Sequence, residues 1–379
     1  MSKKIFISAL EASAEKHCAA LIKSVSAIAP DMEFSGIGGA KMAAAGCELL
    51  ENTVSKAAML YNVLGQLGYY KKLIDKIAAH LKESGADLVV VCDSPAFNFH
   101  VAKAAKKAGI PVMFYVAPQL WAWAPWRIHK LRRLCDKLCC ILPFEEQWFR
   151  SRGVDAEFVG NPLFDDFPVS PSANTKRYDG YAPETARIVL LPGSRDAEIE
   201  TLWKPMQEIA LRLSQKWQGL KFTAVANEQD KLDKFKAGQI DGFACEYSVD
   251  SVIETALRSD LCICASGSVT LQLAAAGCPM VVMYQSNRLI WNLIGRHLIR
   301  IKQLSLPNIV AGYELVPEFM PCFTSTEPIA EKAASLIAFP DLLRDMSLSL
   351  TNLSSVMASR KTCDRVAEIA LEMTKYSHK

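Results

Sequence analysis

Short apolar runs recur along the chain, each separated from the next by a stretch long enough for an amphipathic helix. Residues 4–8 predict a strand and 12–27 a helix, with 8–15 (SALEASAE) as the connecting loop and first turn. Residues 34–39 (FSGIGG) predict a second strand ending in a glycine turn, and 41–45 the start of another helix. The stretch 52–80 reads as mostly helical, loosened in its middle by Gly65 and Gly68. Residues 87–93 (DLVVVCD) set five apolar residues between two carboxylates, the pattern of a strand buried on both faces. Helix 101–108, strand 111–116, helix 127–134, strand 137–142, helix 144–153 and strand 156–159 follow. Alternating β and α with apolar strands predicts an α/β fold on a doubly wound parallel sheet.

Residues 161–187 hold Pro162, Pro168, Pro171 and Pro183 among Ser, Asn, Asp and Gly, a linker composition. The alternation then resumes, with strands at 188–191, 222–226, 244–247, 261–265 and 280–284, and residues 328–375 are mainly helical. The expected organisation is a first Rossmann-like domain over 1–168, a linker over 169–187 and a second Rossmann-like domain over 188–345. Residues 346–379 form a helical segment that could reach back across the two, and a ligand cleft is expected between the domains.

At 379 residues the chain is too long for one ordinary domain, and with half its residues hydrophobic it can fill two cores. Lysine and arginine number 43 against 40 acidic residues, so overall charge points to no nucleic-acid partner. The N-terminal MSKKIFISALEASAEK carries too short an apolar segment for a secretory signal. The longest uncharged run, 261–287, is broken by Ser266, Gly267, Ser268, Thr270, Gln272 and Pro279. It divides into strand, helix and strand, so no transmembrane helix is expected. Twelve cysteines are scattered without paired CxxC motifs, which predicts buried thiols and no metal site.

Candidate chemistry gathers where strands run into helices. In 188–200 (IVLLPGSRDAEIE) a buried strand ends at Pro192-Gly193, Ser194 is a candidate helix N-cap, and a helix over 197–211 follows, with Pro205 inside it. Such a turn directs free N–H groups and the helix dipole at one point, and Arg195 adds a fork suited to phosphate oxygens. Residues 265–276 (ASGSVTLQLAAA) repeat the arrangement, with Ser266, Gly267, Ser268 and Thr270 offering hydroxyls and backbone donors. Gln272, one turn further on, either reaches a ribose hydroxyl or faces solvent. Two such turns in one domain suit a nucleotide diphosphate.

In the first half, Asp93 ends a strand and opens DSPAFN. It reads equally as a general base beside a cleft or as a cap on the helix after Pro95. Glu11 and Glu15 sit in the first β–α turn as cleft carboxylates or solvated helix-start acids. Asn98 is a binding side chain or a turn residue. Two segments mix aromatic and basic residues: 121–133 (WAWAPWRIHKLRR) and 289–302 (LIWNLIGRHLIRIK). Both suit an anionic lipid interface, and both also fit an interdomain face with ordinary core tryptophans.

Taken together, the motifs resemble the lipid-A-disaccharide synthase family. The resemblance rests on GIGGAKMAAAGCE (36–48), DSPAFN (93–98), YVAPQLWAWAPWRI (115–128), LPFEEQWF (142–149), FVGNPL (158–163), LLPGSRDAEIE (190–200), SGSVTLQLAAAGCPMVV (266–282) and SLPNIVAGYELVPEF (305–319). It implies a two-domain GT-B fold. It also implies an inverting glycosyltransferase that joins UDP-2,3-diacylglucosamine to 2,3-diacylglucosamine 1-phosphate (lipid X), releasing UDP. Asp93 would be the base on the acceptor hydroxyl, with Glu11 as the alternative. UDP would lie on Gly193, Ser194, Arg195, Glu198, Ser266, Gly267, Ser268, Thr270 and Gln272. Ser13, Asn98, Asn161 and Asn308 would serve the acceptor or the sugar. Helix dipoles and Arg195 would stabilise the leaving diphosphate with no metal or other cofactor. The family places the protein in the cytoplasm, peripheral on the inner membrane of a Gram-negative-type bacterium through 121–133 and 289–302, and leaves a homodimer open.

Six positions depart from the family pattern. Leu10 and Ala14 replace glycines in the first loop, Glu15 and Ala96 replace aspartates, Gln272 replaces a glutamate and Asn161 a histidine. Glycines that adopt positive φ would make Leu10 and Ala14 sources of strain. The alternatives are therefore another UDP-sugar enzyme on the same fold and a non-catalytic UDP- or lipid-binding relative.

Overall fold

The computed structural model describes residues 2–54, 63–165, 167, 169–176, 178–286 and 301–375. The chain forms two compact units, one of residues 1–165 with 359–379, the other of 166–358. Each unit is built on one parallel sheet.

The first sheet contains β1 (Lys4–Ala9), β2 (Glu33–Gly38), β3 (Cys47–Asn52), β4 (Leu88–Cys92), β5 (Val112–Tyr115), β6 (Lys137–Cys140) and β7 (Ala156–Phe158). Its spatial order is β3-β2-β1-β4-β5-β6-β7. From β1 the chain winds one way through β2 and β3, then returns to β4 and winds the other way. The crevice between β1 and β4 is thus a topological switch point. Every residue of β4 is buried, as its unbroken apolar run requires in a sheet covered on both faces.

The second sheet contains β8 (Arg187–Leu191), β9 (Lys221–Ala226), β10 (Glu246–Val249), β11 (Leu261–Ala265), β12 (Met280–Met283) and β13 (Glu318–Phe319). Its order, β10-β9-β8-β11-β12-β13, repeats the same plan and puts the switch point between β8 and β11.

Several sequence expectations need correction. The segment read as helical from residue 52 is preceded by β3, an edge strand with only Cys47 buried. Its polar CELLEN sequence hides the period-2 pattern; Thr53 and Val54 are helical, and helix Val63–Glu83 follows among the described residues. The helix expected at 101–108 starts at Pro95, which occupies the first helical turn, where its missing N–H is harmless. The helix at Asp196–Lys216 runs on through Pro205.

The proline-rich stretch at 169–187 belongs to the second unit and is packed there. Asn174 Nδ2 donates to the Ala275 carbonyl, Tyr178 Oη to that of Asp260, and Tyr181 Oη to that of Ile337. The proposed C-terminal segment is divided between the units. Helix Pro340–Met357 lies in the second unit. Helix Thr362–Lys375 packs in the first, where Val366, Ile369 and Ala370 share a core with Cys18, Leu21 and Ile22 of helix Ala12–Ile28. Asp165 ends the first part of that unit and caps this last helix, accepting the Thr362 and Cys363 amides at 2.8 and 3.0 Å. All twelve cysteines are free, and eight are buried. Residues 289–300 of the second aromatic–basic segment lie outside the described residues. No described helix is long and apolar enough to cross a membrane.

β1 and β2 approach so closely at Gly36 that a Cβ there would run into the Ile7 carbonyl. Gly36→Ala must therefore spread the central strands of the first sheet. It should destabilise the protein by about 3 kcal/mol or more, read as a lowered midpoint in denaturant unfolding. An unchanged midpoint would show that the sheet relaxes without cost.

Candidate functional site

Both switch points carry the residues singled out from the sequence. In the first unit, Glu11 follows β1 as the residue before helix Ala12–Ile28, and Asp93 follows β4. Asp93 and Ser94 both adopt left-handed backbone conformations, with φ of 53° and 41°. Val116, just past β5, is left-handed too, at 67°. Three non-glycine residues in this region at adjacent strand ends store strain of about 1–3 kcal/mol each. The surrounding structure has to hold them there.

The bonds that do so are explicit. The Asp93 amide donates to the Tyr115 carbonyl at 3.2 Å. Ser94 Oγ donates to Glu11 Oε1 at 3.2 Å, joining the two loops across the switch point. Among the described residues the Asp93 carboxylate makes no hydrogen bond or ion pair, and helix Pro95–Lys107 has no side-chain cap. The capping reading of Asp93 is therefore set aside.

Other predicted residues are placed differently. Glu15 is buried rather than solvated, its carboxylate accepting the Lys41 amide. Ser13 is exposed in the first turn of its helix. Asn98 is fully buried and internally bonded: Oδ1 accepts from Ser8 Oγ at 2.7 Å, and Nδ2 donates to the Cys92 and Asp93 carbonyls at 3.0 and 2.6 Å. Asn161 follows β7, at the edge of the sheet, where its Oδ1 accepts the Leu163 amide of its own turn. Leu10 and Ala14 lie outside the left-handed region, so the replaced glycines leave no backbone strain.

His17 escaped the sequence reading. It lies on helix Ala12–Ile28 with its ring 6.2 Å from that of Tyr115. Burial lowers its pKa, helped by Lys16 and opposed by Asp165 and Asp93. Its position two turns beyond Glu11 on a helix leaving the switch point was the available signal.

In the second unit, Gly193 follows β8 with φ 115°, a conformation that excludes side chains, and a Cβ there would meet Glu198. Ser194 is not the N-cap: the helix starts after Arg195. Glu198 Oε2 accepts the Ser194 and Arg195 amides at 3.1 and 3.3 Å, and its Oε1 pairs with Arg195 Nη1 at 3.2 Å. Two of the donors assigned to a phosphate thus hold a buried carboxylate, and Glu198 is a cap. Arg195, with its side chain 80% exposed, remains free to take a second anion.

Beyond β11, Ser266 is half-buried, Gly267 and Ser268 are exposed, and Gln272 is half-buried. Thr270 is buried, and its hydroxyl donates to the Gly267 carbonyl at 2.7 Å, so it shapes the turn.

Asn308 is buried and fully bonded within the protein. Its Oδ1 accepts the Leu315 and Val316 amides, while Nδ2 donates to the Val316 carbonyl and Glu318 Oε2, all at 2.8–2.9 Å. Two lone pairs and two protons are thereby used. Glu318 also accepts from Leu304 and Ser305, and the knot fixes the start of helix Leu306–Ala311.

The tryptophans of 121–133 have different roles. Trp121 is buried, edge-on to Phe144, and its indole N–H donates to Glu145. Trp126 is 53% exposed, and Arg127 stacks on Trp123 at 4.9 Å.

Two doubly wound parallel sheets of the same strand order, each with polar loops at its switch point, define the GT-B class. Solved structures agree over the whole chain. The calicheamicin glycosyltransferase CalG4 matches with a TM-score of 0.61 at 13% identity, covering all of both chains. A co-structure of S. aureus MnaA with UDP matches with a TM-score of 0.60 at 14% identity, covering 99% of this chain and 96% of the other.

Sequence comparison is more specific. Residues 5–361 match the family model described as lipid-A-disaccharide synthetase. The lipid-A-disaccharide synthase of Geobacter metallireducens is 33% identical over 98% of this chain and 97% of its own. That of Myxococcus xanthus is 32% identical with the same coverage. The chain belongs to the lipid-A-disaccharide synthetase family.

Glu145 gives this region a pH response. Its carboxylate accepts from Trp121 Nε1 and from the Ile141 and Leu142 amides. Those donors favour ionisation, but burial outweighs them and pushes the carboxyl up to about 7. The folded state therefore binds this proton more tightly than the unfolded one. The stabilisation is complete below about 4.5 and is lost as pH rises through about 7. Relative to Glu145→Gln, the parent's melting temperature should fall across that window. A difference independent of pH would show that the three donors keep Glu145 ionised throughout.

Proposed function

We propose that the chain is an inverting glycosyltransferase of lipid A biosynthesis. It condenses UDP-2,3-diacylglucosamine with 2,3-diacylglucosamine 1-phosphate to give the β-1,6-linked disaccharide 1-phosphate and UDP. The family match over nearly the whole chain supports the reaction class. The observation that carries the mechanism is the Asp93 carboxylate, held at a switch point on a strained turn and, among the described residues, in no hydrogen bond or ion pair.

Inversion is a single displacement: the acceptor 6-hydroxyl attacks the anomeric carbon as the bond to UDP breaks. Asp93 takes the hydroxyl proton. Glu11, which already accepts from Ser94, orients the turn beside it. Charge developing on the diphosphate falls to Arg195, whose guanidinium is exposed next to the helix at Asp196–Lys216. Ser266, Ser268 and Gln272 supply polar contacts to the nucleotide from the loop after β11 and the helix that follows it. The names of neighbours solved with UDP or UDP-sugars fit a UDP-sugar donor.

Exposed Trp126 and the basic residues of the following helix suit an anionic bilayer surface, where diacylated substrates reside. We assign the protein to the cytoplasmic face of the inner membrane on this ground.

Purified protein given both substrates should form disaccharide and UDP in equal amounts by mass spectrometry. Intact substrates with retained UDP binding would favour a binding relative instead. Asp93→Ala should abolish turnover while UDP affinity persists. Arg195→Ala should weaken UDP binding about tenfold to a hundredfold, the value of one charged hydrogen bond. Normal turnover by Asp93→Ala would remove that residue from the mechanism.

A further inference from the structure

Cys92, the last residue of β4, is buried, and Asp93, half-buried, begins the left-handed turn at Asp93–Ser94 where the ladder ends. Buried carbonyls without donors are costly, by about 1–3 kcal/mol each. A single side chain serves both. Asn98, in the first helical turn after Pro95, donates from Nδ2 to the Cys92 and Asp93 carbonyls at 3.0 and 2.6 Å. Its own oxygen accepts from Ser8 Oγ at 2.7 Å. Ser8 lies on β1, opposite Val91 in the parallel register, and neither Ser8 nor Asn98 is exposed.

The chemistry of the site restricts the choice of residue. It needs two N–H groups on one atom, a short stem, and an acceptor facing β1. Aspartate has the shape but turns oxygens toward two carbonyls, and leucine has the volume but no donor.

We propose that Ser8 and Asn98 form a positioning pair that fixes the direction of the Asp93 carboxylate through the backbone of the left-handed turn. Serine from β1 and asparagine from the helix after β4 bridge the switch point beneath Glu11 and Asp93. Above them, Ser94 and Glu11 make the second crossing. Neither member of the pair touches substrate. Their effect appears in turnover because a base displaced by about 1 Å loses about a hundredfold in rate. The proposal rests on Asp93 being the base.

The test uses the full chain with both diacylated substrates and five variants: Asn98→Leu, Asn98→Asp, Ser8→Ala, Ser8→Ala with Asn98→Leu, and Asp93→Ala. Folded fraction is followed by circular dichroism. Asn98→Leu should lower kcat about a hundredfold with the KM for the UDP-sugar nearly unchanged. Ser8→Ala should lower it about tenfold, and the double variant should lose less than the product of the two. In Asn98→Asp, a protonated carboxyl can donate to one carbonyl, whereas the ionised form repels both. Its turnover relative to the parent should therefore recover toward acid pH at constant folded fraction, while that of Asn98→Leu stays flat.

Melting temperatures that fall while kcat per folded molecule holds would reduce the pair to a stability element and overturn the proposal. Unchanged kcat in Ser8→Ala would also overturn it, and this variant serves if Asn98→Leu does not fold. If Asp93→Ala loses turnover but Asn98→Leu keeps it, the base stands and the pair falls. If Asp93→Ala keeps turnover, the base reading itself fails and the pair falls with it.

Discussion

Parallel strands buried on both faces must be covered by helices on both sides, and helices can reach both sides only if the winding reverses. In each unit the reversal separates two neighbouring strands, β1 from β4 and β8 from β11. There the connections leave in opposite directions and open a crevice at the carboxyl ends. Polar groups that would be intolerable in these apolar sheets gather at that one place: Glu11, Asp93 and Ser94 in the first unit, the 193–195 and 266–268 turns in the second. The position of chemistry in this protein follows from how the cores are closed.

Carboxylates are used throughout as backbone caps. Glu145, Glu198, Glu318 and Asp165 each accept two main-chain amides, while Glu15, Asp87, Asp136 and Asp260 each accept one. A cap trades bulk hydration for fixed donors, and the acid becomes part of the scaffold. Asp93 stands out against this usage. It follows the last residue of β4, yet among the described residues no amide donates to its carboxylate, and its backbone is left-handed. Glu11 is intermediate, with one hydroxyl donor. The contrast is the ground on which the proposed mechanism takes Asp93, and not Glu11, as the base.

Most strand positions, the alternation of strands and helices and both switch-point loops were legible because they depend on unbroken apolar runs such as LVVVC and LCICA. β3 was not, since an edge strand with one solvated face need not carry an apolar run. The family resemblance implied substrate contacts for Asn98 and Asn308, and the residues themselves left Asn98 open between a binding side chain and a turn residue. Their saturation comes from groups that only the folded turns bring round: the Cys92 and Asp93 carbonyls and the Ser8 hydroxyl, ninety residues away, for Asn98, and the 315–318 segment for Asn308. Glu198 was misassigned for a similar reason. A helix N-terminus with two free amides looks like a phosphate site until an acid one turn later folds back onto it. The proline-rich stretch at 169–187 has the composition of a linker, but its tyrosines bind carbonyls of its own unit and make it part of the wall.

The altered first loop is better explained by this packing than by loss of function. A glycine is indispensable where φ is positive or where a Cβ would clash, and Leu10 and Ala14 have ordinary backbone angles. Leu10 is buried at the end of β1, and Ala14 sits in a helix whose core face includes Cys18 and Leu21. Glu15, where the family pattern has the shorter aspartate, reaches the Lys41 amide and ties the loop to the helix after β2. A chain released from selection would accumulate unpaired buried acids at such positions. Here the exchanged acid is buried and satisfied, and among the described residues Asp93 keeps a carboxylate with no hydrogen bond or ion pair at the place where the proposed chemistry requires one.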